Sequence, residues 1–276
     1  MLTRNQIKSA LKENDIRIRK RLGQNFLVNR KIQEKIVDAL GISKGDTVIE
    51  IGPGLGALTG ELTKRAKRVI AIEKDRRLYD FLLKKRSMDD PGNLELIHGD
   101  ILKHRFDCRE SRKLKVVGNL PYYISSPILI RLLTERRCVD TIFITVQKEF
   151  AERLVARAGS KAYGAITCFV QFYSKPSFLF TIERSSFYPV PKVDSCFLRI
   201  DIYNDGLYLT DEEKLFKIIR ACFGKRRKKI LNSLYSSNEF ASKEEVLEKL
   251  EIAGIAPERR PETVFLEEFV KLTNSV

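Results

Sequence analysis

The stretch Thr47-Val48-Ile49-Glu50-Ile51-Gly52-Pro53-Gly54-Leu55-Gly56 decides the fold class of this 276-residue chain. Its apolar, β-branched start predicts a strand, and glycines at alternate positions predict a turn where the backbone can approach a ligand closely. A helix is expected to begin near Ala57, and Val69 to Ile72 predicts a second strand that ends in Glu73. This order indicates a βαβ nucleotide-binding unit, with the acid about 20 residues beyond the loop and placed to bind ribose hydroxyls.

Two further predicted strands also end in polar side chains. The run 94–97 is followed by Gly99-Asp100, and another apolar run leads into Val117-Gly118-Asn119-Leu120-Pro121-Tyr122-Tyr123. Carboxyl ends of parallel strands meet at one edge of an α/β sheet, where ligands bind, so we expect Glu73, Asp100 and Asn119 to converge on one crevice. Within the second segment an amide, a proline and an aromatic ring together suit a planar ring that carries an amine.

The remaining pattern predicts two domains. Further strands are expected over 141–146, 178–180 and 196–200, and the stiff Phe187-Tyr188-Pro189-Val190-Pro191 segment could hold Phe187 over the crevice. Asn204-Asp205-Gly206 indicates a turn, beyond which helix-like runs alternate with polar breaks. We therefore predict an α/β fold, a Rossmann-like sheet with helices on both faces and a basic N-terminal arm over residues 1–203, followed by a small all-helical domain over 204–276.

The charge predicts a polyanionic partner. Lys and Arg total 51 against 36 Asp and Glu, which gives a net charge of +15 and a pI near 9.6. Two separated basic clusters indicate an extended electrostatic footprint that would bind the phosphates of a polyanion such as a nucleic acid. Their members are Arg17, Arg19, Lys20 and Arg21 in the arm, and Lys225, Arg226, Arg227, Lys228 and Lys229 in the helical domain.

Several other classes are disfavoured. The five cysteines form no C-x-x-C pair and only two histidines accompany them, so no metal site is expected. No apolar run approaches the ~18 residues of a membrane span, and the first residues are too charged for a secretory signal. These features predict a cytoplasmic protein without membrane contact, and nothing in the sequence demands more than a monomer.

The G-x-G-x-G loop spacing, with no separate domain for hydride chemistry, favours S-adenosylmethionine over a nicotinamide cofactor.

Seven motifs together resemble the ribosomal RNA adenine N6,N6-dimethyltransferases, most closely the bacterial members that act on small-subunit RNA. The motifs are Gln24-Asn25-Phe26-Leu27, the glycine loop with Glu50, Glu73, Gly99-Asp100, Asn119-Leu120-Pro121-Tyr122, Ser160-Lys161-Ala162-Tyr163-Gly164, and Phe187 with Pro189-Val190-Pro191-Lys192-Val193-Asp194-Ser195. The basic block 225–229 and the following Asn232-Ser233-Leu234 also resemble the helical domain of that family, so the likeness covers nearly the whole chain. Tyr123 departs from the smaller polar residue found there in many members.

The resemblance implies methyl transfer from S-adenosylmethionine to N6 of two adjacent adenines near the 3′ end of 16S ribosomal RNA, with S-adenosylhomocysteine as product and a role in small-subunit biogenesis. The implied cofactor residues are Gln24, Asn25, Leu27, Glu50, Gly52, Gly54, Glu73, Asp100, Ile101 and Asn119, with Glu73 on the ribose and Asp100 on the adenine amine. The implied catalytic residues are Asn119, Leu120, Pro121, Tyr122 and Phe187. Asn119 and a carbonyl of Leu120 or Pro121 would accept hydrogen bonds from the two N–H groups of the target amine. The rings of Tyr122 and Phe187 would stack on the two faces of the flipped base.

Three alternatives stay open at this point. The antibiotic-resistance methylases of large-subunit RNA share the fold and a similar Asn-Pro-Tyr motif, although the K-A-Y-G and P-V-P-K-V-D-S stretches favour the small-subunit enzymes. A non-catalytic RNA-binding assembly factor on the same scaffold is a second alternative, and a nicotinamide dehydrogenase is a third.

Overall fold

The computed structural model describes residues 3–19, 22–88, 92–107, 114–203, 211–224, 228–237 and 239–276. The chain divides into two compact units. The first comprises Met1–Ala151 and Ser177–Ile202, and the second comprises Glu152–Pro176 and Tyr203–Val276. The described part of the chain contains no helix with both the length and the apolar character needed to cross a membrane.

The first unit is built on a sheet of seven strands with the order β4-β3-β2-β5-β6-β9-β7. Strands β2 to β6 pair in parallel, and β9 runs antiparallel to β6. A separate antiparallel pair joins β1 to β8. The bounds are β1 Phe26–Leu27, β2 Thr47–Ile51, β3 Arg68–Glu73, β4 Leu94–His98, β5 Leu114–Asn119, β6 Val139–Gln147, β7 Ser174–Ile182, β8 Phe187–Tyr188 and β9 Ser195–Ile202.

Helices connect these strands in the order expected of an α/β fold. The helices with their bounds are α1 Arg4–Glu13, α2 Arg30–Ala39, α3 Thr59–Arg65, α4 Arg76–Met88, α5 Ser125–Thr134 and α6 Lys148–Leu154. All five residues of β2 are buried, as its continuous apolar run predicts for a central parallel strand. The predicted α/β class is thereby confirmed, and each predicted strand overlaps an observed one.

Helix α1 is an addition to the predicted arm. Thr3 caps its N-terminus in a capping box. The Thr3 side chain accepts a hydrogen bond from the Gln6 backbone N–H, and the Gln6 side chain accepts one from the Thr3 backbone N–H. Ile7 and Leu11 are buried in a cluster that includes Leu55 of the glycine loop. The N-terminal segment is therefore packed onto the nucleotide-binding loop, and the T-x-x-Q pattern was the signal that could have revealed it.

The second unit contains α7 and the C-terminal helices. Their bounds are α7 Ala165–Tyr173, α8 Glu212–Gly224, α9 Ile230–Tyr235, α10 Lys243–Ile252 and α11 Leu266–Asn274. Phe169 and Phe172 of α7 lie with ring centroids 4.9 and 5.4 Å from that of Phe216 in α8. Residues 152–176 therefore cluster with the helical unit, which differs from the predicted division at 203/204. The aromatic contacts between α7 and α8 join residues 152–176 to the helical unit, although these residues precede the last strand of the sheet in the chain.

Tyr163 of the K-A-Y-G motif is a core residue of this second unit. Its side chain is 2% exposed, its hydroxyl oxygen accepts a hydrogen bond from Cys168 Sγ at 3.2 Å, and its ring packs edge-on against Phe223. The motif therefore organises the helical packing of this unit.

Candidate active site

One cavity lies at the carboxyl ends of β2, β3 and β5, within the first unit. All ten predicted cofactor residues line it: Gln24, Asn25, Leu27, Glu50, Gly52, Gly54, Glu73, Asp100, Ile101 and Asn119. The sheet explains this convergence, because the parallel register places the ends of neighbouring strands side by side. Among the predicted catalytic residues, Asn119 and Pro121 line the same cavity, whereas Leu120, Tyr122 and Phe187 do not.

The glycine loop leaves room for a ligand beside its backbone. Gly52 and Gly54 have φ angles of +64° and +61°, a conformation that L side chains rarely adopt. No atom lies within 4 Å of the position that a Cβ on Gly52 would occupy, so the space in front of this residue is open. At Gly54 the same position is already crowded by the ring of Phe26, 3.1 Å away.

Glu73 is held at the end of β3 by two backbone N–H groups. One carboxylate oxygen accepts from Gly54 N at 3.0 Å and the other from Asp75 N at 2.8 Å. Each oxygen keeps a further lone pair, so hydroxyl groups of a bound ribose could still donate to this carboxylate. Burial raises the pKa of Glu73, against the opposing effect of its backbone hydrogen bonds.

Glu50 lies deeper, in the middle of the sheet. The side chain is 2% exposed, and one oxygen accepts a hydrogen bond from the Thr59 hydroxyl at 2.7 Å. Burial raises the pKa of Glu50 to about 7, since Thr59 offsets the loss of hydration only in part and the nearby Glu73 adds to the rise. Thr59 is a supporting residue that the sequence pattern did not reveal.

Asp100 follows β4 and forms an ion pair at the cavity wall. Lys74 Nζ lies 2.7 Å from one carboxylate oxygen, and Leu102 N donates to the other at 3.0 Å. Burial acts to raise the pKa of Asp100, but the hydrogen bonds from Lys74 and Leu102 outweigh it and lower the pKa. Asp100 is therefore an anionic acceptor in a fixed orientation, and Lys74 is a second residue that the sequence pattern did not reveal.

Asn119 ends β5 with its amide group fixed. Its Nδ2 donates to the backbone carbonyl of Asn25 at 2.8 Å. The side-chain amide of Asn25 in turn donates to the Gly23 carbonyl at 3.2 Å. Because the NH₂ group of Asn119 is held by Asn25, its Oδ1 is left as a hydrogen-bond acceptor at the cavity.

The two candidate backbone acceptors differ. The Pro121 carbonyl already accepts from Ile124 N at 3.1 Å and from Ser125 Oγ at 3.0 Å. Both of its lone pairs are therefore used. No residue in the described part of the chain donates to the Leu120 carbonyl, and Leu120 N is anchored on Thr145 O at 3.1 Å.

The two predicted stacking residues have different surroundings. Tyr122 is half-buried, and its hydroxyl lies 2.7 Å from Ser195 Oγ at the start of β9, which fixes the ring. Phe187 is only 1% exposed and packs in a core cluster with Leu27 and Phe197. Phe187 does not line the cavity itself, but Leu27 and Phe197 of the same cluster do. Its pairing with Leu27 places it beside the cavity wall, and its predicted place over the crevice stays a prediction.

Two residues of the N-terminal motif are also tied to the site. Gln24 donates from Nε2 to Asp75 at 3.1 Å, and its oxygen accepts from Arg19 N at 2.8 Å. Leu27 is buried, and its carbonyl accepts from the Gln33 side chain at 2.8 Å. These contacts fix the segment that brings Asn25 to Asn119.

The predicted RNA-binding residues are only partly described. Arg17, Lys228 and Lys229 are exposed, and their side chains make no ion pair or hydrogen bond with the described residues. Arg19 Nε lies 3.5 Å from the buried Asp75 carboxylate. Lys20, Arg21, Lys225, Arg226 and Arg227 lie outside the described residues.

The residues of the cavity fit S-adenosylmethionine. The open space before Gly52 suits a ligand that approaches the loop backbone. Glu73 can accept hydrogen bonds from hydroxyl groups, and the anionic Asp100 can accept a hydrogen bond from an amine. Within the described ranges, no group of three or more His, Cys, Asp or Glu residues could hold a metal ion.

Comparisons with known proteins agree with this geometry. Residues 16–275 match the model of a family described as ribosomal RNA adenine dimethylase. The ribosomal RNA small subunit methyltransferase A of Alkaliphilus metalliredigens is 42% identical over 98% of this chain and 95% of its own. The crystal structure of a dimethyladenosine transferase from Plasmodium falciparum has a TM-score of 0.77 at 31% identity, covering 90% of this chain and 95% of that one. The 23S rRNA methyltransferase ErmE has a TM-score of 0.70 at 28% identity, covering 91% and 98%.

Proposed function

This chain belongs to the ribosomal RNA adenine dimethylase family, and we propose that its target is two adjacent adenines near the 3′ end of 16S ribosomal RNA. The protein is an S-adenosylmethionine-dependent rRNA adenine dimethyltransferase that produces N6,N6-dimethyladenosine and S-adenosylhomocysteine. The name of the Alkaliphilus relative supports the choice of the small subunit and, with it, a role in small-subunit biogenesis.

The geometry of Asn119 carries the proposal. The N6 lone pair of adenine is delocalised into the ring, so the free amine is a poor nucleophile. Asn119 Oδ1, held in place through the bond to Asn25, accepts one N–H of the target. The unused Leu120 carbonyl accepts the other, since the Pro121 carbonyl is occupied. These two acceptors localise the lone pair toward the methyl donor without a strong general base.

Positioning supplies the remaining catalysis. S-adenosylmethionine held in this cavity would supply an electrophilic methyl group. The N6 lone pair would form the new N–C bond, the electron pair of the broken S–C bond would stay on sulfur, and the proton of N6 would pass to water. Residues that hold N6 about 3–3.5 Å from that carbon convert the encounter into an intramolecular step. Tyr122, fixed by Ser195, stacks on one face of the flipped base, with stacking worth roughly 1–3 kcal/mol.

The second methylation uses the same acceptors differently. Monomethylated N6 has one N–H left, so only one of Asn119 Oδ1 and the Leu120 carbonyl can accept a hydrogen bond. The base must rotate its methyl group toward the other acceptor or leave and rebind before the second transfer. Asn119 is therefore expected to affect both transfers.

The cofactor assignments are part of the proposal. Glu73 would accept hydrogen bonds from ribose hydroxyls, Asp100 would accept one from the adenine amine, and the open space before Gly52 would let the cofactor approach the loop backbone. Their shared position on one cavity supports these roles. Asn25 and Leu27, with Gln24, Glu50 and Ile101, complete the walls.

The RNA footprint includes residues of both units in this proposal. Arg17, Lys228 and Lys229 are exposed without protein partners among the described residues, which leaves their charges available to phosphates. Arg19 contributes less, because it already pairs with Asp75. The affinity for RNA is expected to fall steeply as the salt concentration rises.

We also propose that the enzyme acts in the cytoplasm and as a monomer. A single compact unit supplies every predicted cofactor residue, so the site needs no second copy of the chain.

The test is methyl transfer from labelled S-adenosylmethionine to undermethylated small ribosomal subunits and, in parallel, to large-subunit RNA, followed by nucleoside analysis. Dimethyladenosine on the small subunit supports the proposal. Label on large-subunit RNA alone would instead indicate a 23S rRNA methyltransferase such as ErmE, and tight RNA binding with no label would favour an assembly factor.

A further inference from the structure

Tyr123 follows the catalytic motif directly and has no role in the mechanism above. Its side chain is 56% exposed, which is high for a large aromatic residue beside an active site. Tyr123 nevertheless lines the same cavity as the ten cofactor residues. Its hydroxyl makes no hydrogen bond with any residue that the structure describes. The ring is therefore placed at the cavity while much of its surface remains in water.

The ring forms part of the cavity rim together with Gly23. Tyr123 Cδ1 and Cε1 lie 3.3 and 3.4 Å from the position that a Cβ on Gly23 would occupy, and Pro121 Cβ lies 3.2 Å from it. Gly23 has a φ of +62°, and its carbonyl accepts a hydrogen bond from the side-chain amide of Asn25. The segment that leads to Asn25 and the segment that follows Asn119 thus meet at the Tyr123 ring.

Tyr123 lines the same cavity as Lys74, Asp100 and Ile101. Lys74 and Asp100 form an ion pair there, and Asp100 is the residue assigned above to the adenine amine. The ring of Tyr123 therefore shares its cavity with the residue assigned to the adenine.

We propose that Tyr123 is a cofactor-binding residue whose ring packs against the adenosyl group of S-adenosylmethionine and closes the cavity rim over it. The inference rests on the proposed function, specifically on the assignment of Asp100 to the adenine. Packing a flat nucleoside onto an aromatic face removes apolar surface of both from water and adds a favourable aromatic interaction. An exposed ring on a cavity wall is suited to this role because the ligand itself supplies the missing burial.

The test is calorimetric titration of S-adenosylhomocysteine and, separately, adenosine into wild type and variants. Tyr123→Ala is expected to raise the Kd for both ligands about five- to tenfold, because an aromatic interaction of the usual strength is removed. Tyr123→Phe keeps the ring and is expected to stay within about twofold of wild type. Tyr235→Ala is the matched control, since Tyr235 is 50% exposed in α9 and does not line the cavity.

The outcomes separate this inference from the proposed function. Unchanged Kd values for Tyr123→Ala, or an equal loss in Tyr123→Phe, would overturn the role of the ring. An effect confined to the KM for RNA would instead make Tyr123 a substrate-binding residue and would also overturn it. Failure of wild type to bind S-adenosylhomocysteine would be a failure of the proposed function. Tyr123→Leu repeats the test with a residue of larger volume, should the alanine variant fold poorly.

Discussion

The buried carboxyl group of Glu50 makes the stability of the first unit depend on pH. In the unfolded chain the pKa of Glu50 has its ordinary value of 4.5, whereas burial in β2 raises the pKa of Glu50 in the folded chain to about 7. Between these values the folded state binds more protons, so the Glu50 contribution to stability is lost as the pH rises through about 7. Glu50→Gln removes the titration while keeping an oxygen that can accept from Thr59.

The size of the effect follows from the two pKa values. Each pKa unit corresponds to ~1.4 kcal/mol, so ionising Glu50 in the folded state costs about 3 kcal/mol once the pH exceeds 7. Glu50→Gln is therefore expected to gain stability relative to wild type, from under about 1 kcal/mol at pH 5 to about 3 kcal/mol at pH 8. Solvent screening does not reduce this cost, because the carboxyl group is fully buried.

The assay is urea unfolding of both proteins at half-unit steps from pH 5 to pH 8.5, with the difference in unfolding free energy plotted against pH. Titrating groups that do not interact with Glu50 cancel in that difference, whereas the nearby Glu73 is coupled to Glu50 and adds to it. Glu149→Gln is the matched control, since Glu149 is exposed on α6 and the same exchange there should give a flat difference. A flat difference for Glu50→Gln, or one that falls as pH rises, would refute the reasoning.

Three further predictions concern the cofactor, the base and the RNA. Asp100→Ala should weaken binding of S-adenosylhomocysteine about tenfold by calorimetry, because a hydrogen bond to a charged acceptor is removed; an unchanged Kd would contradict the assignment. Tyr122→Ala should lower kcat/KM about tenfold or more because stacking is removed, whereas Tyr122→Phe, which loses only the hydrogen bond with Ser195, should lower it far less; equal decreases would place the role in the hydroxyl. Replacing Lys228 and Lys229 by Ala should reduce the slope of log K against log salt for RNA binding by about 1 for each phosphate that is no longer neutralised, and an identical slope would remove them from the footprint.

The part of the site that strand ends create could be predicted from the sequence. The strand, glycine loop and acid order locates Gly52 and Glu73, and the polar residues after two later strands locate Asp100 and Asn119. In a parallel sheet these positions lie along one edge, so the convergence of these four residues could be predicted from the order of the motifs in the chain.

The remaining features depend on contacts distant in sequence. Whether Phe187 faces the cavity or the core is decided by a two-residue strand paired with Leu27, where a shift by one residue would exchange the faces of Phe187 and Tyr188. Thr59 and Lys74 became visible as partners only when the fold placed them beside Glu50 and Asp100. No local pattern distinguishes such partners from ordinary surface residues.

The choice between the Leu120 and Pro121 carbonyls had the same origin. The sequence offers both as acceptors, and only the turn after β5 shows that Ile124 and Ser125 occupy the Pro121 carbonyl. The domain boundary differed for a related reason, because the aromatic residues of α7 find their partners in α8.

The most direct test of the proposed chemistry is single-turnover methyl transfer by Asn119→Ala on undermethylated small subunits, with S-adenosylhomocysteine binding measured on the same preparation. Removal of a fixed acceptor at the reacting amine should lower the rate by about 10²–10³, as for other preorganised hydrogen-bonding groups. The Kd should change less than about tenfold, since a single hydrogen bond contributes about 1 kcal/mol. Near-normal transfer by this variant would contradict the role of Asn119.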